Sequence, residues 1–323
     1  MIKLNNKRLR ANILLLITAA IWGFAFVSQR IGSKYVGTFT FNGIRFALGS
    51  ISLIPLIIYF DKKKKNENTN DTKVYTNVTA KKMISSGVLV GTILYAGSSI
   101  QQTGLIYTTA GKASFITGLY VVIVPIIGVL LKHKIGKNSW IGVGLAVAGL
   151  YLLSINENFS ISYGDFLEII GSLFWAVHIL SIDHFSKVVD PLKLSCLQFA
   201  TCSLLSLVTA LAFENITISG ISGALIPILY GGLLSAGVAY TLQVVAQKNA
   251  KPSHAAIILS MESVFGAIGG MLILGEVMSM RGYAGCSLIL GGIVLSQLRF
   301  SPKIPKSWKL LKKLKINFSK LKG

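Results

Sequence analysis

The feature that most restricts this chain is a succession of about ten apolar runs, each 15–25 residues long. A helix of about 20 residues rises about 30 Å, the depth of the hydrocarbon layer of a bilayer. The runs predict helices over residues 12–32, 38–60, 84–106, 111–131, 138–155, 165–186, 192–213, 222–247, 253–275 and 281–298. The chain therefore reads as an all-α integral membrane protein with ten transmembrane helices. A mean hydropathy of +0.65 with only 13% charged residues excludes an ordinary soluble domain.

The formal net charge of +21 invites a nucleic-acid reading, which the placement of the charge opposes. With the N-terminus in the cytoplasm, 27 of the 32 Lys and Arg fall on cytoplasmic segments. They occupy the start of the chain, the linker from Asp61 to Lys82 with its Lys62–Lys65 run, three short loops and the tail. The exceptions are Arg30, Lys34, Arg45, Lys112 and Arg281. This is the positive-inside asymmetry, and ten spans bring both termini to the cytoplasmic side. The Asp61–Lys82 stretch reads as a solvated linker. In the tail, Trp308, Leu311, Leu314, Phe318 and Leu321 share one helical face between lysines, which predicts an amphipathic helix on the anionic leaflet. Cys196, Cys202 and Cys286 lie inside spans at no metal or disulfide spacing and read as small apolar filler.

The chain also repeats itself. At an offset of 142, Gln101 falls on Gln243, Ala113 on Ala255 and Tyr120 on Glu262. At 143, Trp140 falls on Tyr283, Gly142 on Gly285 and Gly149 on Gly292. At 153, Trp22 falls on Trp175 and Arg45 on Gln198. The chain thus divides into a short N-terminus (1–11), two related halves (12–155 and 165–298) and a basic tail (299–323). Five spans per half is an odd number, so the second half must lie inverted with respect to the first.

Polar stripes run along many spans. Thr18, Trp22, Ala25 and Gln29 share a face of the first, and Thr38, Asn42, Arg45, Gly49 and Ser52 a face of the second. The third carries Tyr95, Ser98, Ser99, Gln101 and Gln102. The sixth carries Glu168, Gly171, Ser172, Trp175 and His178, and the eighth ends with Tyr240, Gln243 and Gln247. Lipid cannot satisfy such groups, so they face other helices or a watery cavity. Trp22, Tyr120, Trp175 and Glu262 each lie nine to ten residues into a span, about 14 Å deep and near the midplane. A carboxylate there needs a partner, water or a proton, and Arg45, His178 and a cationic solute are the candidate partners of Glu262. Gly266 and Gly270 continue its face, so a neighbouring helix can come close. Lys112, at a helix start where the dipole disfavours a cation, points either to water or to an anionic solute.

The stretches IWGFAFV around Trp22, Arg45 itself, YTTAGKASFITGLYVVIVP, LFWAVHI around Trp175, and LSMESVFGAIGGMLILGE from Leu259 to Glu276 together resemble the drug/metabolite transporter superfamily, in its ten-helix EamA-type branch. The resemblance covers roughly residues 12–298. Val121 and Ser263 stand where this branch often has Pro, so a helix break is not expected at those places. His133 stands where the second half has Glu276. The resemblance implies two inverted five-helix repeats, with spans 1–4 and 6–9 around a central cavity and spans 5 and 10 at the periphery. It also implies export of amino acids, metabolites or drugs, with some members importing.

The function expected is a secondary transporter working by alternating access, an exporter, in a bacterial cell membrane. Its expected substrate-binding residues are Trp22, Arg45, Gln101, Tyr120, Trp175, His178, Tyr240, Gln243 and Glu262. The alternative is an integral membrane enzyme acting on lipids or isoprenoids, which four scattered histidines and the lack of HExxH or paired acidic motifs disfavour. No GxxxxGK[ST] is present for direct ATP coupling. The partners expected are a small-molecule solute and the lipid bilayer, with the proton as candidate coupling ion and a homodimer as candidate assembly. No cofactor, metal, nucleic acid or catalytic residue is expected.

Overall fold

The computed structural model describes residues 6–67, 79–132, 136–154, 162–277 and 279–297. The tail helix expected from Trp308 to Leu321, the position of His133 and most of the linker after Glu67 lie outside the described residues. Among those described the chain is helical throughout. In order come α1 (Asn6–Gly32), α2 (Thr38–Glu67), α3 (Ala80–Tyr107), α4 (Ala110–Thr117), α5 (Tyr120–Leu130), α6 (Lys137–Ser154), α7 (Tyr163–Phe185) and α8 (Pro191–Phe213). The short α9 (Ile218–Gly223) and α10 (Leu225–Leu229) lead into a π-helical segment, Tyr230–Tyr240. The chain then continues with α11 (Thr241–Gln247), α12 (Pro252–Leu259), α13 (Glu262–Leu274) and α14 (Met280–Gln297).

Eight of these helical stretches are long and apolar enough to cross a bilayer. The fifth and tenth expected spans, α6 and α14, are not among the eight; they pack against each other. The exterior is apolar, with Ile51, Leu204, Val208 and Leu272 exposed, while glutamines, serines and carboxyls are buried inside. That distribution suits a molecule whose surroundings are hydrocarbon.

Three expectations about the spans change. Asp61–Glu67 is not linker but the continuation of α2, whose lysine-rich end carries Asp61 to an ion pair with Lys193 at 2.8 Å. The span expected at 222–247 is not one α-helix, because its middle widens into the π segment. The spans at 111–131 and 253–275 are each broken in two. No proline causes these breaks. The backbone ladder tightens instead from i−4 to i−3 partners: Leu119, Val121 and Val122 donate to Ile116, Gly118 and Leu119. At the same three places in the second half, Met261, Ser263 and Val264 donate to Ile258, Ser260 and Met261. Such a 3₁₀ stretch inside a helix offsets the axis of the turns beyond it.

Contacts between the halves come in reciprocal pairs. A Cβ on Gly149 would lie 2.5 Å from the Gly285 carbonyl oxygen, and one on Gly292 would lie 2.6 Å from that of Gly142. Only glycine permits this approach of α6 to α14. At one end of the bundle Glu214 accepts from Phe39 N and Thr40 N, both at 2.8 Å, and from Thr40 Oγ1 at 2.7 Å. At the other end Asp61 pairs with Lys193. Thr40 and Asp61 fall on Lys193 and Glu214 at the offset of 153, so the second contact is the first with the halves exchanged.

The end where α1 starts is also tied by His254 Nε2 to Asn12 Oδ1 at 3.0 Å. At the opposite end Arg30 donates to the carbonyls of Leu105 and Ile106, at 2.6 and 2.8 Å. Glu276 caps α4 there, accepting from Ala110 N and Gly111 N at 2.9 and 3.0 Å. A carboxylate at a helix start is favoured by the dipole and satisfies orphan N–H groups.

Candidate functional site

A small central cavity lies between α1, α2, α3, α4, α5, α7, the π segment, α11 and α13. The structure places Trp22, Arg45, Gln101, Tyr120, Trp175, His178, Tyr240, Gln243 and Glu262 all on its wall, although they come from seven different spans. Gln29, Thr117 and Ser235 join them. Gln29 belongs to the polar stripe of the first span. Thr117 and Ser235 carried no sequence signal, since one sits at a helix break and the other in the π segment.

Tyr240, at the end of the π segment, is the hub of an aromatic cluster. Its ring centroid lies 4.5 Å from Trp22, 5.8 Å from Phe199, 5.9 Å from His178, 6.1 Å from Phe46 and 6.2 Å from Trp175. Edge-to-face and tilted pairs at such separations are favourable beyond the area they bury. The π segment holds the cluster against α1: Trp22 Nε1 donates to the Ser235 carbonyl at 3.4 Å, Thr18 Oγ1 to that of Ala239 at 3.1 Å, and Tyr230 Oη to that of Ile21 at 2.9 Å.

The charged groups do not pair with one another as the sequence had suggested. Arg45 is buried, donates from Nε to Asn42 Oδ1 at 3.0 Å, and sits over the Phe46 ring at 4.6 Å and the Phe41 ring at 5.5 Å. Among the described residues it has no carboxylate partner. His178 Nε2 lies 3.0 Å from Gln198 Oε1, so it too is spoken for by a neutral neighbour. Glu262 is 3% exposed and faces Tyr120 across the two helix breaks. Neither Tyr120 Oη nor Glu262 Oε1 meets hydrogen-bond geometry with any group among the described residues. Lys112 is absent from the cavity wall and partly exposed; it pairs with Asp165 at 2.5 Å, and Thr108 Oγ1 supports that carboxylate at 2.9 Å.

Around the cavity, polar atoms are left over among the described residues. Besides Tyr120 and Glu262, these are Gln29 Oε1, Trp175 Nε1, His178 Nδ1 and both amide atoms of Gln243. A buried polar group without a partner costs about 1–3 kcal/mol, so several on one wall mark a place built to meet a polar guest or water. The cavity also owes its shape to close backbone approach beside Glu262. A Cβ on Gly23 would collide with Phe265 and with the backbone of Glu262 and Gly266, while Gly266 lies against Ser114. Ser263 Oγ donates to the Ser114 carbonyl at 2.7 Å, locking α13 to α4.

A model of the EamA-like transporter family matches the chain twice, at residues 9–155 and 162–298. An uncharacterized transporter of Archaeoglobus fulgidus is 32% identical over 299 residues, covering 91% of this chain and 87% of its own. The uncharacterized transporter YoaV of Bacillus subtilis is 24% identical over 288 residues, covering 87% and 94%. The uncharacterized inner membrane transporter YedA of Escherichia coli K12 is 21% identical over 283 residues, covering 86% and 87%. A protein of known crystal structure, 12% identical, shares the fold, with a TM-score of 0.67 over 89% of this chain and 97% of that one.

Proposed function

Because the chain belongs to the EamA-like transporter family and is a multi-pass membrane transporter, we propose that it is a secondary transporter that moves a small polar or amphipathic solute by alternating access. The observation that carries this reading is the cavity wall: aromatics, one guanidinium, one carboxyl and unpartnered amide atoms drawn from both halves. Aromatic faces take up apolar or cationic parts of a solute, and the leftover donors and acceptors fix its orientation. Amino acids, metabolites and drugs fit such a wall.

In this reading the ten helical traverses form two inverted five-helix repeats, supported by the reciprocal contacts Gly149–Gly285 with Gly292–Gly142 and Thr40–Glu214 with Lys193–Asp61. Related halves of opposite orientation can exchange conformations, which opens the cavity first to one side and then to the other. The end carrying Asn12, Asp61, Lys63 and Lys193 is the cytoplasmic one, and export is the expected direction. Glu262 is the proton-coupling group, and pairing of two copies through their peripheral helices is the candidate assembly.

The test starts by comparing metabolites inside and outside cells with and without the protein. The solutes that differ are then loaded into proteoliposomes. A flux that depends on the protein and follows an imposed pH gradient is expected; no protein-dependent flux of any such solute overturns the reading. Labelling of Lys63→Cys by an impermeant thiol reagent in intact cells would reverse the assigned orientation.

A further inference from the structure

The cavity wall carries one guanidinium, and the protein gives it no anion. Arg45 is 2% exposed, lines the cavity, and commits one of its five N–H donors, that on Nε, to Asn42 Oδ1 at 3.0 Å. The other four, on the two Nη atoms, meet no acceptor among the described residues. Lys112, Lys187 and Lys193 each have a carboxylate, at Asp165, Asp183 and Asp61. Arg45 has none among the described residues. Asn42 adds a further donor beside it: its Oδ1 is taken, while its buried Nδ2 has no partner among the described residues. The orientation of that amide follows from chemistry, because a guanidinium can only donate and so must face the oxygen.

The guanidinium is also held in place. It lies over the Phe46 ring at 4.6 Å and the Phe41 ring at 5.5 Å. The π segment closes on its stem, where a Cβ on Gly231 would lie 3.2 Å from Arg45 Cδ. Ring faces offset part of the cost of burying a cation, but they give its N–H groups no acceptor. Nor does the fold require a charge at this place. At the offset of 153 Arg45 falls on Gln198, which is also buried and meets His178 Nε2 through its Oε1 at 3.0 Å. One half fills the position with an amide and a partner for it, and the other with an unanswered cation. A donor-rich, acceptor-poor spot inside a bilayer fits an anion that arrives with the solute.

We propose that Arg45 and Asn42 form an anion subsite of the cavity that seats the carboxylate of a small organic acid. This rests on the transporter reading and deepens it by naming the class of solute. A single guanidinium, with no lysine or second arginine on the wall, matches one negative charge, and its planar fork matches the two oxygens of a carboxylate. The Phe46 ring under Arg45 lies 6.0 Å from Phe199 and 6.1 Å from Tyr240, so the apolar body of an acid seated there would lie against the aromatic cluster.

The test is a comparison of head groups. Acetate, hexanoate, benzoate and phenylacetate, each beside its own amide, are titrated onto the full chain in detergent at neutral pH, and the rise in melting temperature gives the apparent affinity. At least one acid should bind about tenfold or more tighter than its amide, the worth of a charge-assisted hydrogen bond. Arg45→Gln should bring that acid down to the level of its amide, and Arg45→Lys should keep part of the preference. Asn42→Asp keeps the shape and gives Arg45 a resident carboxylate, so it should abolish acid binding without lowering the melting temperature of the unliganded protein. The proposal fails if no acid outbinds its amide, if Arg45→Gln weakens acid and amide alike, or if Asn42→Asp still binds the acid. It fails too if chloride or inorganic phosphate stabilises the protein through Arg45 and no acid does. Protein-dependent flux confined to solutes without an acid group would overturn the subsite and leave the transporter reading standing. Acid-selective binding without flux of any solute would support the subsite and strike at the transporter reading.

Discussion

The broken helix of the first half, α4–α5, and that of the second, α12–α13, share a backbone and differ in one decisive side chain. Their ladders shift to i−3 partners at the same three positions, 119, 121 and 122 against 261, 263 and 264. Directly after each break stand Tyr120 and Glu262, which face each other. The first half offers a phenol, and the second a carboxyl. The backbone device is thus common to both halves, while ionisable chemistry at this point has been given to one. The lesson is that shape and charge are separable here: either half can bend, and only the second places a carboxyl at the break.

The sharpest way to break the comparison is Glu262→Gln, which keeps shape and hydrogen-bonding capacity but cannot titrate. It should insert normally and retain solute exchange, yet lose pH-gradient-driven flux in proteoliposomes; undiminished gradient-driven flux would make Glu262 a packing residue. The next largest effect is expected from Tyr120→Glu. It sets two carboxyls face to face at the bilayer centre, with a cost on the order of 2.5–3.5 kcal/mol. The exchange variant carrying Tyr120→Glu with Glu262→Tyr returns to one carboxyl, so it should recover much of that loss in thermal unfolding in detergent. No recovery would mean that the two positions are not interchangeable.

Smaller effects test the backbone. Gly23→Ala puts a methyl group against the Glu262 and Gly266 backbone, where overpacking costs about 1–3 kcal/mol. Gly144→Ala, where nothing lies within 4 Å, serves as the control and should leave the melting temperature unchanged or raise it slightly, since alanine is the better helix former. Smallest of all is the contrast between the reciprocal end contacts. Glu214→Ala removes a helix cap and should cost about 0.5–2 kcal/mol, whereas Asp61→Ala removes an exposed ion pair of at most about 1 kcal/mol. Equal losses would show that the two ends are built alike in energy as well as in position.

Much of this was legible from one chain. The stripe spacing and the offsets between halves picked out nine residues from seven spans, and the fold sets all nine around one cavity. Helical periodicity could do that because it fixes which side chains share a face. What it could not convey was backbone register. Nothing in LYVV or MESV announces a 3₁₀ step without proline, and nothing in YGGLLSAGVAY announces a π segment. Partner choice was equally hidden. Lys112 binds Asp165 and Glu168 accepts from Thr117 because α4 lies against α7, a fact of packing between residues some 50 positions apart.

The facing of Tyr120 and Glu262 also bears on how such a chain can arise. Under the offset of 142 that relates the halves, Tyr120 maps onto Glu262, so this contact is its own image. In an ancestor made of two identical five-helix copies, a residue at that place could meet only itself. A glutamate would have opposed a glutamate, and a tyrosine a tyrosine. In a single chain each side can differ, and a lone acid opposite a neutral ring becomes attainable. A chain whose two halves each match the same family model can thus keep the backbone of the break in both and place the carboxyl in one.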